Sequence, residues 1–266
     1  GTGISKNATK TVMDNMSKSP MGYTVALGLP QLRKKISDLY QKWYGIELDP
    51  NRVIITSGSS GAFLLAFSSL FDSGDRVGIG SPGYPSYKQI LKALGLTAVT
   101  IQTKRADKFQ PTPYGLAEQD LDGLLIASPA NPTGTMLNRD ELSALIEFCS
   151  EKSAAFISDE IYHGIEYDKK SVSALEITNE CYVINSFSKY FCMTGWRVGW
   201  IVVPETHVRR IERLAQNLFI CAPHISQIAA LASLENMSDA SEHLKIYQRN
   251  RVLMIEGLGK AGFKKI

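Results

Sequence analysis

Paired cysteines and clustered histidines are missing from this sequence, and their absence excludes several kinds of site. The four cysteines lie far apart and form no Cys-x-x-Cys pair, so neither a zinc site nor a disulfide framework is indicated. The four histidines are spread singly along the chain. The spacing therefore nominates no nucleophile–histidine pair for covalent hydrolysis.

A strong excess of one charge and long apolar runs are missing as well. There are 29 Lys and Arg against 26 Asp and Glu, a formal net charge of +3, and the basic residues form no arm or stripe. No apolar run reaches transmembrane length, and no charged segment followed by an apolar one opens the chain. We therefore expect no nucleic-acid partner and no membrane partner. The cysteine usage predicts a reducing, cytoplasmic compartment.

The sequence of 266 residues, 44% of them hydrophobic, alternates between strand-like and helix-like hydrophobic patterns. Short runs that are apolar on both faces alternate with amphipathic helical segments, and the last segments are helical. This pattern predicts an α/β fold of three layers, α/β/α, with a mostly parallel sheet covered on both sides. The predicted strands are "RVIIT", "DRVGIG", "TAVTIQT", "GLLIAS", "AAFISDE", "CYVINSFS" and "VGWIVVP".

In such sheets function collects at the carboxyl ends of the strands, and five predicted strands end in residues that fit one site. The small residues 57–61 follow the first strand and open a helix, a geometry that binds anions. Four further strand ends carry an aromatic ring, an amide, a carboxylate and an amine, which belong to Tyr84, Asn131, Asp159 and Lys189. Taken singly, most have ordinary alternatives: a helix cap, a packed loop aromatic or a turn asparagine.

Lys189 raises the sharpest question, because it directly follows the apolar strand "CYVINSFS". A lysine there loses hydration unless something neutralises it or uses it. From this stretch alone, a lysine with its stem along the surface and a lysine in a buried ion pair both remain open. The other four strand ends favour a functional role.

Five motifs, in this order and spacing, resemble the class I/II aminotransferases, which are pyridoxal-phosphate enzymes of fold type I. The motifs are "SGSSGAFLLAF", "SPGYPSY", "SPANPTGT", "ISDEIYHGIEY" and "SFSKYFCMTGWRVGW". The resemblance runs from about "GYTVALGLPQLRKKI" to the last residue. It implies an enzyme that moves an amino group between an amino acid and a 2-oxo acid by a ping-pong mechanism.

The resemblance also implies the catalytic residues around pyridoxal 5′-phosphate. Lys189 would form a Schiff base with the cofactor and then move the α-proton of the substrate. Asp159 would pair with the ring nitrogen. Tyr162 and Asn131 would hydrogen-bond the phenolic oxygen of the ring, and Tyr84 would stack on its face.

The cofactor phosphate would be bound, on the same resemblance, by a separate group of residues. The backbone N–H groups of Ser59 and Ser60, the hydroxyl of Ser186 and the guanidinium of Arg197 would contact it, with help from Ser188. Tyr23 matches a tyrosine that reaches the phosphate from a second subunit. The resemblance thus implies a homodimer with shared active sites.

The family pattern further divides the chain into three parts. Residues 1–27 are expected to form an N-terminal segment with dimer contacts, and residues 28–239 the large, cofactor-binding domain. Residues 240–266 are expected to begin the helix towards a small C-terminal domain that this chain lacks. The arginine that binds the substrate carboxylate is expected in that small domain.

Two other functions remain open beside transamination. The first is a carbon–sulfur β-lyase or related synthase on the same cofactor; the "SPANPTG" motif favours transamination over it. The second is the aminotransferase-like effector domain of a transcription regulator. That reading requires a helix-turn-helix and a basic DNA-binding face, and neither is present in the sequence.

Overall fold

A seven-stranded sheet forms the centre of the structure, a computed structural model that describes residues 3–263. Its strands are β1 (Val53–Thr56), β2 (Arg76–Ser81), β3 (Thr97–Gln102), β4 (Gly123–Ala127), β5 (Ala155–Asp159), β6 (Tyr182–Ser186) and β7 (Gly199–Val202). Their spatial order is β1-β7-β6-β5-β4-β2-β3. Each of the seven predicted strands is confirmed.

The sheet is mostly parallel, as predicted, with one reversal. Strands β2 to β6 pair in parallel, whereas β7 is antiparallel to both β6 and β1. Because β7 is reversed against each neighbour, β1 and β6 run in the same direction. The carboxyl ends of β1, β6, β5, β4 and β2 therefore meet the amino end of β7 at one edge of the sheet.

Nine α-helices surround the sheet within residues 3–263. They are α1 (Lys6–Lys18), α2 (Pro30–Tyr44), α3 (Gly58–Leu70), α4 (Pro85–Ala93), α5 (Pro113–Leu116), α6 (Arg139–Glu151), α7 (Val208–Phe219), α8 (His224–Glu235) and α9 (Ser238–Lys260). Helix α2 begins at a proline and ends at Gly45, a left-handed residue with φ of 72°. None of the helices in this part of the chain has the length and hydropathy to cross a membrane.

The core lies in two layers, one on each face of the sheet. Alternate strand residues point into opposite layers: Val53 and Ile55 belong to one apolar cluster, and Ile54 belongs to the other. Helices α2, α6 and α8 supply the first layer, and α3, α4 and α7 supply the second. Burial on both faces explains why the strands read as continuous apolar runs.

The segment before α2 is bound firmly to the rest of the domain, although its sequence has little periodicity. Gln227 of α8 is fully buried; its Oε1 accepts from the N–H of Leu29 at 2.7 Å and its Nε2 donates to Thr24 Oγ1 at 3.0 Å. The N–H of Thr24 contacts Cys221 Sγ at 3.4 Å. Tyr23 thus lies on a fixed backbone with its side chain 82% exposed.

Candidate active site

The predicted site residues meet at one edge of the sheet because of the strand register. Thr56 of β1 and Ser186 of β6 both lie opposite Gly199 of β7. Farther along the same edge, Asp159 of β5 lies opposite Ala127 of β4. The expected phosphate-binding residues therefore cluster at the β1–β7–β6 end, and the expected ring-binding residues follow at β5 and β4.

The start of α3 and the side chain of Arg197 form an anion-binding cradle. The cap residue of α3 makes no side-chain hydrogen bond to the helix, so the N–H groups of its first turn, those of Ser59 and Ser60 included, stay available to an anion. Gly58 has φ of 72°, and a Cβ placed on it would lie 2.4 Å from Arg197 Nη2. Only glycine lets the guanidinium approach the helix start this closely.

Two predicted serines, Ser186 at the end of β6 and Ser188 just after it, complete this end of the site. Ser186 and Ser188 are buried, and their hydroxyl oxygens lie 2.9 Å apart. The Ser186 hydroxyl donates to the carbonyl of Val198 at 3.1 Å, and the N–H of Ser188 donates to Ser186 Oγ at 3.1 Å. Both hydroxyls are thus fixed beside the strand that follows Arg197. The structure thus places Ser59, Ser60, Ser186, Ser188 and Arg197 at this end of the sheet, whereas the side chain of Tyr23, predicted to reach the phosphate of a second subunit, is exposed.

Asp159 ends β5 as a buried carboxylate that no cation neutralises within residues 3–263. It is 3% exposed, and burial raises its pKa to about 6. Its Oδ1 accepts from the N–H of Ile161 at 3.1 Å, and its Oδ2 accepts from the hydroxyl of Tyr87. Two donors hold the carboxyl group in place, yet a charge partner is missing. Such an arrangement suits a ligand that brings a protonated nitrogen.

Because its hydroxyl donates to the Asp159 carboxylate, Tyr87 is a candidate site residue, one that the sequence did not predict. It lies in α4, where its position on the apolar face of "PSYKQIL" indicates a core tyrosine. Its ring is buried and makes an edge-on contact with Tyr84, with ring centroids 5.3 Å apart. Tyr84 itself is 40% exposed. The three-residue spacing from Tyr84, one helical turn, was the available signal.

Lys189, Tyr162 and Asn131 form the middle of the site. The ammonium nitrogen of Lys189 lies over the ring of Tyr162, 5.6 Å from its centroid. Asn131 Nδ2 lies 3.5 Å from the Tyr162 hydroxyl. The pKa of Tyr162 is raised, first by partial burial and then by the Asp159 carboxylate. Among the described residues, none of the salt bridges involves Lys189, so a buried ion pair does not account for it.

Two cavities flank this constellation. One of about 710 Å³ is lined by the "PANPTG" loop, Tyr162, residues 165–169 and Arg251. The other, of about 560 Å³, is lined by Tyr23, Ser57, Trp196 and apolar residues of α1 and of the α7–α8 connection. The first cavity is lined in part by Tyr162, whose ring faces Lys189. The second lies beside the phosphate-binding end and includes the exposed Tyr23.

These features define a class of site: an anion cradle, a buried carboxylate, two convergent donors and a lysine at the carboxyl edge of an α/β sheet. Comparison with known proteins identifies the family. The sequence model of the family "Aminotransferase class I and II" matches residues 1–266. The chain belongs to this family, whose members depend on pyridoxal phosphate.

The curated relatives include two with different substrates in their names. Valine–pyruvate aminotransferase of Mycobacterium tuberculosis is 46% identical over 252 residues, which cover 92% of this chain and 65% of the relative. (5-Formylfuran-3-yl)methyl phosphate transaminase of Methanocaldococcus jannaschii is 35% identical over 97% of this chain and 70% of its own length. The chain thus spans about two thirds of the length of these relatives.

Solved structures agree with the fold as well as the family. An aminotransferase from Mycobacterium tuberculosis superposes with a TM-score of 0.94 at 43% identity, covering 97% of this chain and 72% of that one. Aspartate aminotransferase from Thermotoga maritima gives a TM-score of 0.94 at 28% identity, covering 99% of this chain and 72% of that one. The predicted fold class is confirmed by these likenesses.

Proposed function

We propose that the protein is a pyridoxal-phosphate-dependent aminotransferase that exchanges an amino group between an amino acid and a 2-oxo acid in two half-reactions. The observation that carries the proposal is the uncompensated Asp159 carboxylate at the end of β5 and the Arg197 cradle at β1 and β7, with Lys189 following β6, the strand between β5 and β7. Among the described residues, neither the Arg197 guanidinium nor the Asp159 carboxylate has a salt-bridge partner, so the site suits a ligand with an anion at one end and a protonated ring nitrogen at the other. Pyridoxal phosphate has both.

The residues present fit this cofactor. The first turn of α3, Arg197 and the Ser186 hydroxyl would bind its phosphate, with Ser188 supporting the Ser186 hydroxyl. Asp159 would bind the ring nitrogen. Asn131 and Tyr162 would donate to the phenolic oxygen. When bound, the cofactor supplies an electron sink that acidifies the Cα–H bond of an amino acid.

The side chains of this chain then have separate tasks. Lys189 takes the proton from the substrate Cα and returns it during the exchange, since its amine is not committed to a described carboxylate. Tyr87 and the N–H of Ile161 hold the Asp159 carboxyl in a single orientation. Tyr84 offers an aromatic face at the mouth of the site, where its exposure leaves the ring free to stack.

We propose that the substrates bind in the 710 Å³ cavity beside Asn131 and Tyr162. The name of the Mycobacterium tuberculosis relative supports an apolar amino acid and a small 2-oxo acid as the first pair to assay. The exposure of Tyr23 on a firmly bound backbone supports a homodimer in which this side chain reaches the partner's phosphate site. The wide spacing of the four cysteines, with no Cys-x-x-Cys pair, supports a reducing, cytoplasmic location.

A test of the function combines a covalent label with product analysis. Borohydride added to protein with bound pyridoxal phosphate should fix the cofactor on Lys189, and peptide mapping should find it there. Lys169→Ala, on the rim of the 710 Å³ cavity, is the matched control and should label normally. A label on another lysine would contradict the assignment. Formation of pyruvate and ammonia from a β-substituted amino acid, without transfer, would favour the β-lyase instead.

A further inference from the structure

Behind the site lies a buried polar group that the proposed reaction does not use. It consists of Glu160 and His163, which follow Asp159 in the same turn, and Tyr44 at the end of α2; we call these three residues the rear cluster. Glu160 and His163 are each 1% exposed. Burial of this kind is costly for polar groups, so their hydrogen bonds indicate what they hold.

The partners of His163 fix its tautomer. Nε2 lies 2.8 Å from the carbonyl oxygen of Ser128, and a carbonyl can only accept, so this nitrogen carries the proton. Nδ1 lies 2.6 Å from the Tyr44 hydroxyl. The ring is thus bound through both nitrogens: Nδ1 contacts the Tyr44 hydroxyl, and Nε2 donates to the Ser128 carbonyl.

Glu160 anchors the same turn from beneath. Its Oε1 accepts from the N–H of Ala174 at 2.8 Å and from Ser158 Oγ at 3.2 Å. Its Oε2 lies 3.5 Å from His163 Nδ1 and has no hydrogen-bond partner among the described residues. Burial raises the pKa of Glu160, which favours the uncharged form. Glu160 thus supports the turn and leaves the histidine nitrogen to Tyr44.

The bond from His163 to Ser128 joins the two segments that carry the front donors. Tyr162 precedes His163 in the turn, and Asn131 lies three residues after Ser128 in the loop. On the front side, Asn131 Nδ2 and the Tyr162 hydroxyl stand 3.5 Å apart, at the limit of a hydrogen bond. Both donors therefore remain able to bond a third atom placed between them.

We propose that His163 is a positioning residue that sets the separation of the Asn131 amide and the Tyr162 hydroxyl. This inference rests on the proposed function, in which both groups bind the phenolic oxygen of the cofactor. The loop is also anchored where the turn begins, because the N–H of Ser128 donates to the carbonyl of Asp159 at 3.2 Å. The side-chain anchor of the loop, Gln110, does not reach the turn. Gln110 Nε2 donates to the carbonyls of Ala127 and Thr135, at 3.1 and 3.2 Å.

Two substitutions distinguish a positioning role of His163 from a role in which its side chain only fills buried space. In His163→Gln the side-chain amide lies where Nε2 lies and keeps a donor towards Ser128. In His163→Asn the amide lies nearer to Nδ1, so the bond to Tyr44 can persist while that to Ser128 is lost. Both variants bury a neutral amide. Only the asparagine variant is expected to release the loop.

The first measurement uses cofactor-free protein. Hydrogen exchange followed by mass spectrometry should show amides of residues 128–137 exchanging roughly tenfold faster in His163→Asn, the loss expected for one buried hydrogen bond. The rate in His163→Gln should stay within about twofold of the unchanged protein. Circular dichroism melting checks that both variants are folded.

The second measurement uses holoenzyme. His163→Asn should shift the pH dependence of the visible cofactor band and lower kcat more than it raises KM, and His163→Gln should restore both. Equal exchange of the loop in the two variants would overturn the inference whether or not the protein is an aminotransferase. A normal band and normal kcat in the asparagine variant, with the loop exchanging faster, would overturn it too. Failure of the unchanged protein to bind cofactor would instead contradict the proposed function.

Discussion

Replacing Asp159 by asparagine removes a buried carboxyl group whose pKa is raised to about 6, mainly by burial, from an ordinary value of 3.8. Between these two values the folded protein holds a proton that the unfolded chain has released. The free energy of unfolding therefore falls as the pH rises from about 4 to about 6, and it levels off above that. With about 1.4 kcal/mol for each pKa unit, the two-unit difference corresponds to about 3 kcal/mol.

The asparagine variant has no such titration, so its difference from the unchanged protein isolates the effect. Without cofactor, we expect the unfolding free energy of Asp159→Asn, relative to the unchanged protein, to rise by about 3 kcal/mol between pH 4 and pH 7. At every pH the stability of the variant is also lower by about 1 kcal/mol, because one amide oxygen serves Tyr87 and Ile161 less well than two carboxylate oxygens, and this constant term leaves the rise between pH 4 and pH 7 unchanged.

Urea unfolding of cofactor-free protein at pH 4, 5, 6, 7 and 8 measures this difference. Asp107→Asn, at an exposed carboxylate, is the control and should run parallel to the unchanged protein. Saturating cofactor should then stabilise the unchanged protein more than Asp159→Asn, because the ring nitrogen supplies the missing charge partner. Parallel curves for Asp159→Asn and the unchanged protein from pH 4 to 7 would refute the account of a buried, uncompensated carboxyl group.

Three more outcomes follow from named contacts. Gly58→Ala should lower the stability by about 1–2 kcal/mol, since φ is positive there, and urea unfolding measures this loss. It should also weaken cofactor binding, because Arg197 must move, and fluorescence titration measures the affinity. Tyr87→Phe should raise the pKa of Asp159 further by about one unit, because it removes a hydrogen bond worth about 1.5 kcal/mol. Difference infrared spectroscopy of the carboxyl band measures this pKa, and an unchanged titration would show that the bond is unimportant. Tyr23→Phe mixed with Lys189→Ala should give heterodimers with one nearly normal site out of two, and activity no higher than that of the parent variants would exclude a tyrosine that crosses between subunits.

The strands and most of the site could be predicted because their signals are local. Apolar runs on both faces, bounded by glycine, proline and asparagine, identify each strand, and the strand ends then place Asp159, Asn131 and Lys189 at one edge. The order of the strands is a different matter. The reversal of β7 and its insertion between β1 and β6 depend on contacts between residues far apart in sequence, which no local pattern contains.

The helix and the site residues that were not predicted also depend on contacts between residues far apart in sequence. Helix α1 was not predicted, since only Ala8 and Val12 are buried in it and its apolar stripe is correspondingly weak. Tyr87 reads as a core residue until the packing of α4 brings its hydroxyl to Asp159. His163 and Glu160 carry no signal in the sequence that predicts their burial. Their burial arises because α2 ends directly behind them, which the sequence of the turn alone does not show.

The position of β1 has a consequence for the time course of folding. This strand lies at the edge of the sheet and pairs with β7, Thr56 opposite Gly199. The hydrogen bonds between β1 and β7 therefore cannot form until β7 is present. Closing a loop of that length is entropically costly, and pairings so distant in sequence form slowly. The start of α3 is attached to β1, whereas Arg197 arrives with β7. During synthesis, most of the parallel sheet can therefore assemble while the two parts of the anion cradle are still separate, and the ability to bind a phosphate arises only after β7 has paired.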